Sequence, residues 1–340
     1  MNNKLISPIF IVGAMRSGTT LLRTMLDHHS HIAIPDESRG VFKDAMGFIP
    51  LFNDLKTIED ARSFLQIILQ HPNIRLWKLN EKLLLNQINV TGFSNVMNYL
   101  YHHYAQIRGK LRWGEKTPQY IWIVPKILEY FPDAKIIHII RDARDVVASQ
   151  LKSFFWMNTY MAAYHWQKLC KLNQQYAQNQ TNYKWIRYEE LIENPKKILS
   201  DVCQFIEEPY EEAMLNFQDG IQDIAQRIPG IHNNIAKKVL KENTGLYTRY
   251  LSQKQIQLVE YLCSDGLKTY GYALHPVTRP RMFELMRLVY KLHYLLLRGL
   301  FRIKQIKDRF RSGSLLYTVR YNFLKWQSWI LCQRKNNRND

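Results

Sequence analysis

The sequence predicts an α/β fold in which a central, mainly parallel sheet is flanked by helices and followed by a basic helical tail. Three observations carry that expectation. Short apolar runs alternate with segments of helical period, a glycine- and hydroxyl-rich loop joins the first run to the first helical segment, and the composition shifts after Pro276.

Taken in order, Ile9-Phe10-Ile11-Val12 reads as a strand ending at Gly13, and Leu21, Leu22, Met25 and Leu26 recur at helical spacing after a polar turn. Thr57 and Asp60 stand at N-cap and N3 positions ahead of Ile67-Ile68-Leu69, which predicts a helix over 57–69, and an aromatic-rich helical pattern follows over 93–107. Thr117-Pro118 sets a capping hydroxyl before a proline suited to the first helical turn, so a helix is expected over 118–130 with Lys116 just before it. Lys135 to Ile140 is an apolar run bounded by Pro132-Asp133 and Arg141-Asp142, as a strand covered on both faces requires, and a helix over 143–152 follows. Tyr183 to Tyr188 reads as a further strand and Pro195 to Ile206 as a helix. Ser252 and Gln255 form the capping box of a helix reaching Thr269.

The 340 residues, 46% hydrophobic and 13% aromatic, suffice for a large buried core, which excludes a miniature stapled scaffold and a globally disordered chain. A formal charge of +18, from 47 Lys+Arg against 29 Asp+Glu, calls for an anionic partner; nucleic acid, an acidic membrane and a polyanionic small molecule all satisfy it. From His275 to Asp340 fifteen basic and three acidic residues supply +12 of that charge, so a folded domain is expected over 1–275 and a basic tail over 276–340. Cys170, Cys203, Cys263 and Cys332 are scattered, which argues against a zinc site or disulfide framework and fits a reducing compartment. With no signal-peptide pattern and no apolar run near the ~18 residues of a membrane span, a cytoplasmic location is expected, at most peripheral at the inner face of a membrane. Asp27, His28, His29 and His31 read as an exposed helix end rather than a metal site, and His102 and His103 as partly buried packing residues.

Gly13-Ala14-Met15-Arg16-Ser17-Gly18-Thr19-Thr20 has the outline of a phosphate-binding loop, with a helix start that attracts an anion. A nucleoside-triphosphate loop would carry Lys where this chain has Thr19. Arg16 supplies the cation instead, and Ser17, Thr19 and Thr20 supply hydroxyls. A second cationic motif, Arg141 with Ser149 eight residues later, follows the 135–140 strand; by itself Arg141-Asp142 also reads as a structural ion pair.

With these motifs the chain resembles the sulfotransferases that use 3'-phosphoadenosine 5'-phosphosulfate. The resemblance runs from about Pro8 to Tyr272 and leaves the tail outside. It implies a P-loop-like sulfotransferase fold, with Arg16, Ser17, Gly18, Thr19 and Thr20 on the 5'-phosphosulfate and Arg141 and Ser149 on the 3'-phosphate. It also implies Tyr188 near the nucleotide, a position that equally suits a half-buried aromatic at a strand end. The pattern around Pro35-Asp36-Glu37-Ser38-Arg39 is similar to the Glu-x-Arg of tyrosylprotein sulfotransferases, which implies Glu37 as general base and Arg39 as an active-site cation holding substrate; the alternative is a solvated carboxylate pair with Arg39 as its surface partner. Lys116, in Gly114-Glu115-Lys116-Thr117-Pro118, resembles the lysine of heparan-type sulfotransferases and joins Arg16 as a cation for the leaving oxygen. A lysine at a helix start is otherwise unfavourable unless an anion sits there. The family's basic loop before the last helix points to Lys237, Lys238 and Lys241 for the 3'-phosphate, although Gly245-Leu246-Tyr247 departs from its Gly-x-Trp character and a solvated charge run fits equally.

Sulfuryl transfer needs a base for the acceptor hydroxyl and a cation for the leaving oxygen, and no metal is expected because the moving group carries little charge. The acceptor, a carbohydrate, glycolipid or tyrosine hydroxyl, is not legible. Two other classes compete: a P-loop nucleotide kinase, which lacks its loop lysine, and a basic nucleic-acid-binding protein, for which no aromatic platform or zinc-finger spacing is present, so no nucleic-acid partner is expected. In the tail, Leu285, Leu288, Val289, Leu292 and Leu295 to Leu297 form an apolar stripe beside Arg287, Lys291 and Arg298, continued by Phe301, Ile303, Ile306 and Phe310. This stripe fits an interfacial helix on an anionic membrane or a helix packed on the catalytic domain.

Overall fold

The structure is a computed structural model, which describes residues 7–38, 41–179, 181–216, 244–275 and 283–311 together with Phe323. Its elements run β1 (Ile9–Gly13), α1 (Thr19–Asp27), β2 (Ile32–Ala33), α2 (Val41–Phe48), α3 (Ile58–Leu69), α4 (Pro72–Arg75), α5 (Glu81–Gln87), α6 (Phe93–Gln106), β3 (Arg112–Lys116) and α7 (Val124–Tyr130). They continue with β4 (Lys135–Ile140), α8 (Ala143–Ser153), α9 (Thr159–Asn179), β5 (Tyr183–Arg187), α10 (Tyr188–Glu193), α11 (Pro195–Ile206), α12 (Tyr247–Tyr250), α13 (Gln253–Thr269) and α14 (Phe283–Arg311). The strands form a five-stranded sheet in the order β2-β3-β1-β4-β5, and the β2/β3 and β4/β5 pairs are parallel, as the α/β reading requires.

The chain divides into two compact units, one of residues 1–10, 30–134 and 305–340, the other of residues 11–29 and 135–304. In the first, an aromatic core explains the ring-rich pattern of α6: Phe10 meets Phe42 and Trp113 edge-on at 5.5 and 5.7 Å, and Tyr101 of α6 lies 4.5 Å from Trp113. Thr57 and Asp60 form the expected capping box of α3. Gly114 has to be glycine, because a Cβ there would lie 2.9 Å from the Ile34 side chain and 3.1 Å from the Ile9 carbonyl.

In the second unit, β4 pairs with β5 from Ile136↔Tyr183 to Ile140↔Arg187, and its apolar residues are buried. His138 sits within β4, its Nδ1 2.7 Å from both Asn173 Oδ1 and Tyr183 OH, and burial pulls the imidazole pKa down to about 4. α14 turns an aromatic face inward: Tyr290 stacks on Tyr160, Trp156 meets the buried Tyr294, and Asn158 Nδ2 donates to the Tyr290 carbonyl at 2.8 Å. Its other face exposes Leu285, Leu288, Val289, Leu292, Leu295 and Leu296, each more than half accessible. Among the described residues no helix is long and apolar enough to cross a membrane.

Several expectations are corrected. The segment over 118–130 is a 3-10 turn, Pro118–Ile123, and then α7, because Pro125 lacks an N–H and its ring crowds the carbonyl four residues back. Thr117 makes no side-chain cap; its hydroxyl donates to Glu115. The strand over 183–188 stops at Arg187, and Tyr188 opens α10 and is buried rather than half-buried. His29 is buried, not exposed, with Nε2 2.8 Å from the Pro209 carbonyl. The strands β2 and β3 and the long helix α9 were absent from the sequence reading.

Candidate active site

In the second unit, β1 hands over to α1 through a loop whose shape depends on three unusual backbone positions. Gly13 and Gly18 have φ of +156° and +101°, and Arg16 takes a left-handed φ of 73°. A Cβ on Gly13 would lie 2.7 Å from the Ile139 carbonyl, and one on Gly18 2.3 Å from the Tyr188 ring, so only glycine fits either place. Ser17 closes the turn, since both its N–H and its hydroxyl donate to the Ala14 carbonyl and the side chain is buried. Gly18 then caps α1, and Thr19 and Thr20 form its first turn.

This loop meets the exit of β4 directly. Arg16 Nε donates to Ser149 Oγ at 3.0 Å, Arg141 Nη1 donates to the Arg16 carbonyl at 3.2 Å, and Gln150 Nε2 donates to the Met15 carbonyl at 2.9 Å. The Arg141 guanidinium also lies 4.6 Å from the centre of the Tyr188 ring, the same ring that faces Gly18. Arg16, Arg141, Ser149, Gly18 and Tyr188 are thus gathered in one unit, with two cations beside a helix N-terminus, an arrangement suited to a ligand bearing several negative charges.

The Arg141-Asp142 pair anticipated as a structural alternative does not form that way. Asp142 binds Arg144, whose Nη2 is 2.6 Å from Oδ2, and Arg144 Nη1 reaches the buried Glu260 at 2.6 Å. Arg141 has instead Asp145 at 3.9 Å. Asp145 accepts from the backbone N–H groups of Gly245 and Tyr247 at 2.8 and 2.9 Å, which fastens the segment ahead of α13 to α8; burial raises its pKa. Sequence reading missed Asp145, since an acid three residues from Asp142 in a charged turn carries no sign of burial. Lys237, Lys238 and Lys241 lie outside the described residues, as does Arg39.

The first unit holds the other two anticipated residues in direct contact. Lys116, at the end of β3, donates from Nζ to Glu37 Oε1, with 5% of the Lys116 side chain and 29% of the Glu37 side chain exposed. The loop carrying Glu37 is tied down by Trp77 Nε1, which donates to the Asp36 carbonyl at 3.1 Å, and by Asn73 Nδ2 to the Ser38 carbonyl at 3.4 Å. Beside the pair lies a buried polar network that the sequence reading did not single out. Glu115 Oε1 accepts from Ser38 Oγ at 3.0 Å and Thr117 Oγ1 at 2.6 Å, and its Oε2 accepts from Tyr101 OH at 2.5 Å. Tyr120 OH lies 2.7 Å from Ser38 Oγ and accepts from the Phe42 N–H at 2.9 Å. Burial raises the pKa of Glu115 against the lowering effect of its hydroxyl donors, and holds both tyrosines well above their usual range. The one signal for it was Glu115 inside the Gly-Glu-Lys-Thr-Pro segment.

Comparison with known proteins bears on these two sets of residues. The family described as Sulfotransferase family matches residues 8–212. The Protein-tyrosine sulfotransferase of Drosophila melanogaster is 24% identical over 227 residues, 63% of this chain and 40% of that protein. Protein-tyrosine sulfotransferase A of Caenorhabditis elegans is 26% identical over 227 residues, 62% of this chain and 52% of that protein. The chain therefore spans about half or less of the length of these curated relatives. Among solved structures, the sulfotransferase domain from the Synechococcus PCC 7002 olefin synthase superposes with a TM-score of 0.54 at 22% identity, covering 81% of this chain and 99% of that one, which shows a common fold.

Proposed function

The chain belongs to the sulfotransferase family, and from that premise we propose that it transfers a sulfuryl group from 3'-phosphoadenosine 5'-phosphosulfate to a hydroxyl of a carbohydrate, glycolipid or tyrosine, without a metal ion. The observation that carries the reading is the junction at Arg16, where a lysine-less loop touches Ser149 and Arg141 of the second cationic motif. Two guanidinium groups, the N-terminus of α1 and the Tyr188 ring fit a nucleotide with anionic groups at both ends of its ribose. Arg16, Gly18, Thr19 and Thr20 take the 5' end, with Ser17 shaping the loop; Arg141 and Ser149 take the 3'-phosphate.

The donor supplies the sulfuryl group. Glu37 accepts the proton of the acceptor hydroxyl as the new oxygen–sulfur bond forms. The bond from sulfur to the 5'-phosphate oxygen breaks, its electron pair stays on that oxygen, and Lys116 and Arg16 neutralise the charge left there. Since Lys116 rests on Glu37, it must exchange the carboxylate for the leaving oxygen, which couples release of the base to engagement of the donor. Arg39 holds the acceptor. A kinase reading finds no support in a loop that has Thr19 at the lysine position. A screen of tyrosine peptides, oligosaccharides and glycolipids with 35S-labelled donor tests the reading: label in one acceptor class is expected, and turnover of ATP with none of the donor would overturn it.

Residues 1–275 form the catalytic part in this reading and 276–340 a basic tail whose helix α14 rests on an anionic membrane surface at the cytoplasmic face. The support is a helix held by its aromatic face that leaves a leucine face exposed, in a segment with fifteen basic and three acidic residues.

A further inference from the structure

We propose that Glu115 is a positioning residue that holds the base and the cation of the reaction in register by gripping the neighbour of each. The inference rests on the reading of Glu37 and Lys116 given above. Ser38 follows Glu37 and Thr117 follows Lys116, and one carboxylate oxygen, Glu115 Oε1, accepts from both hydroxyls. Two segments far apart in sequence are thereby pinned to a single atom. Along β3 successive side chains alternate faces, so Glu115 and Lys116 point to opposite sides of the strand and the carboxylate does not compete with Glu37 for the ammonium.

The direction of every hydrogen bond follows from this anchor. The Phe42 N–H donates to the Tyr120 oxygen, and Ser38 spends its proton on Glu115, so the Tyr120 hydroxyl must donate to Ser38. Tyr101 and Thr117 donate to Glu115 as well. All protons point towards one acceptor-only carboxylate, which is the protonation state three converging hydroxyls favour. Glu115, Ser38 and Tyr101 are fully buried and Thr117 and Tyr120 nearly so, so no water substitutes for a lost partner at low cost. The network admits one arrangement, and moving either Ser38 or Thr117 breaks it.

A clamp of this kind acts through Glu37, and a double-variant cycle detects that. Turnover is read as adenosine 3',5'-bisphosphate released from the phosphosulfate donor in the presence of an acidic tyrosine peptide, which counts transfer to peptide and to water alike. Ser38→Ala is expected to lower kcat by ~10- to 100-fold, the scale of a misplaced catalytic group, with the donor KM unchanged. Ser38→Thr restores most of it. Added to Glu37→Gln, Ser38→Ala is expected to cost nothing further, because there is no longer a base to position. Multiplicative losses in the double variant, or wild-type kcat in Ser38→Ala, would overturn the clamp. Should Ser38→Ala fail to fold, Glu115→Gln serves instead: it keeps the Oε1 contacts, needs only the Tyr101 hydroxyl to turn round, and is expected to retain most of kcat, whereas a loss as large as that of Glu37→Gln contradicts the proposal. Normal turnover in Glu37→Gln itself is a separate result, which removes the base assignment and leaves the donor cradle standing.

Discussion

Arg16 occupies left-handed backbone that costs a non-glycine residue ~1 kcal/mol or more, and it is kept there by its bond to Ser149 and by the bond its carbonyl accepts from Arg141. Neighbouring Gly18 shows how little freedom the loop has. Gly18→Ala combines a positive φ with a Cβ driven into the Tyr188 ring, so urea unfolding should show a stability loss of about 1–3 kcal/mol, together with weaker binding of adenosine 3',5'-bisphosphate. Glu37→Gln should leave that binding intact while lowering kcat by ~10²- to 10⁴-fold, and turnover close to the parent's rejects Glu37 as base. At this scale the sequence announces what spacing announces: Arg16, Arg141, Ser149 and the Glu37 and Lys116 segments stand out by their distance from strand ends. Glu115 and Asp145 do not, because each is an acid beside a basic residue, a pattern shared with solvated surface pairs. What distinguishes them is burial between elements far apart in the chain, and no local pattern records that.

Among the elements, β4 shows how a buried strand absorbs a polar residue. His138 is neutral in the fold with a pKa of about 4, against about 6.5 in the unfolded chain. A depressed pKa means that the unfolded state binds the extra proton, so the contribution is present above pH 6.5 and is lost as the pH falls towards 4. Denaturation at pH 7 and pH 5 should show a loss larger in the parent than in His138→Gln by up to about 2 kcal/mol, and equal losses would show that the ring titrates normally. β4 and the helices α3, α8, α11 and α13 were legible because a continuous apolar run or a capping box marks each. β3 was not, since Arg112-Trp113-Gly114-Glu115-Lys116 has neither alternation nor β-branched residues and is a strand through its pairing with β2. The helix predicted over 118–130 erred for a local reason, Pro125, that was readable but outweighed by Thr117-Pro118.

For the whole molecule, charge and shape meet at the tail. The full-length protein should sediment with phosphatidylserine vesicles, release them as salt rises, and ignore neutral vesicles, while Leu292→Glu with Leu296→Glu should abolish the association. Undiminished binding in that variant would place the contact elsewhere. The central claim, that two cationic strand exits joined at Arg16 grip one nucleotide with anions at both ends, is tested most directly by calorimetric titration with adenosine 3',5'-bisphosphate in the presence of EDTA. Saturation at one molecule per chain is expected, with Arg16→Ala and Arg141→Ala each weakening it by ~10-fold or more. Absence of binding, or both variants binding as the parent does, contradicts it.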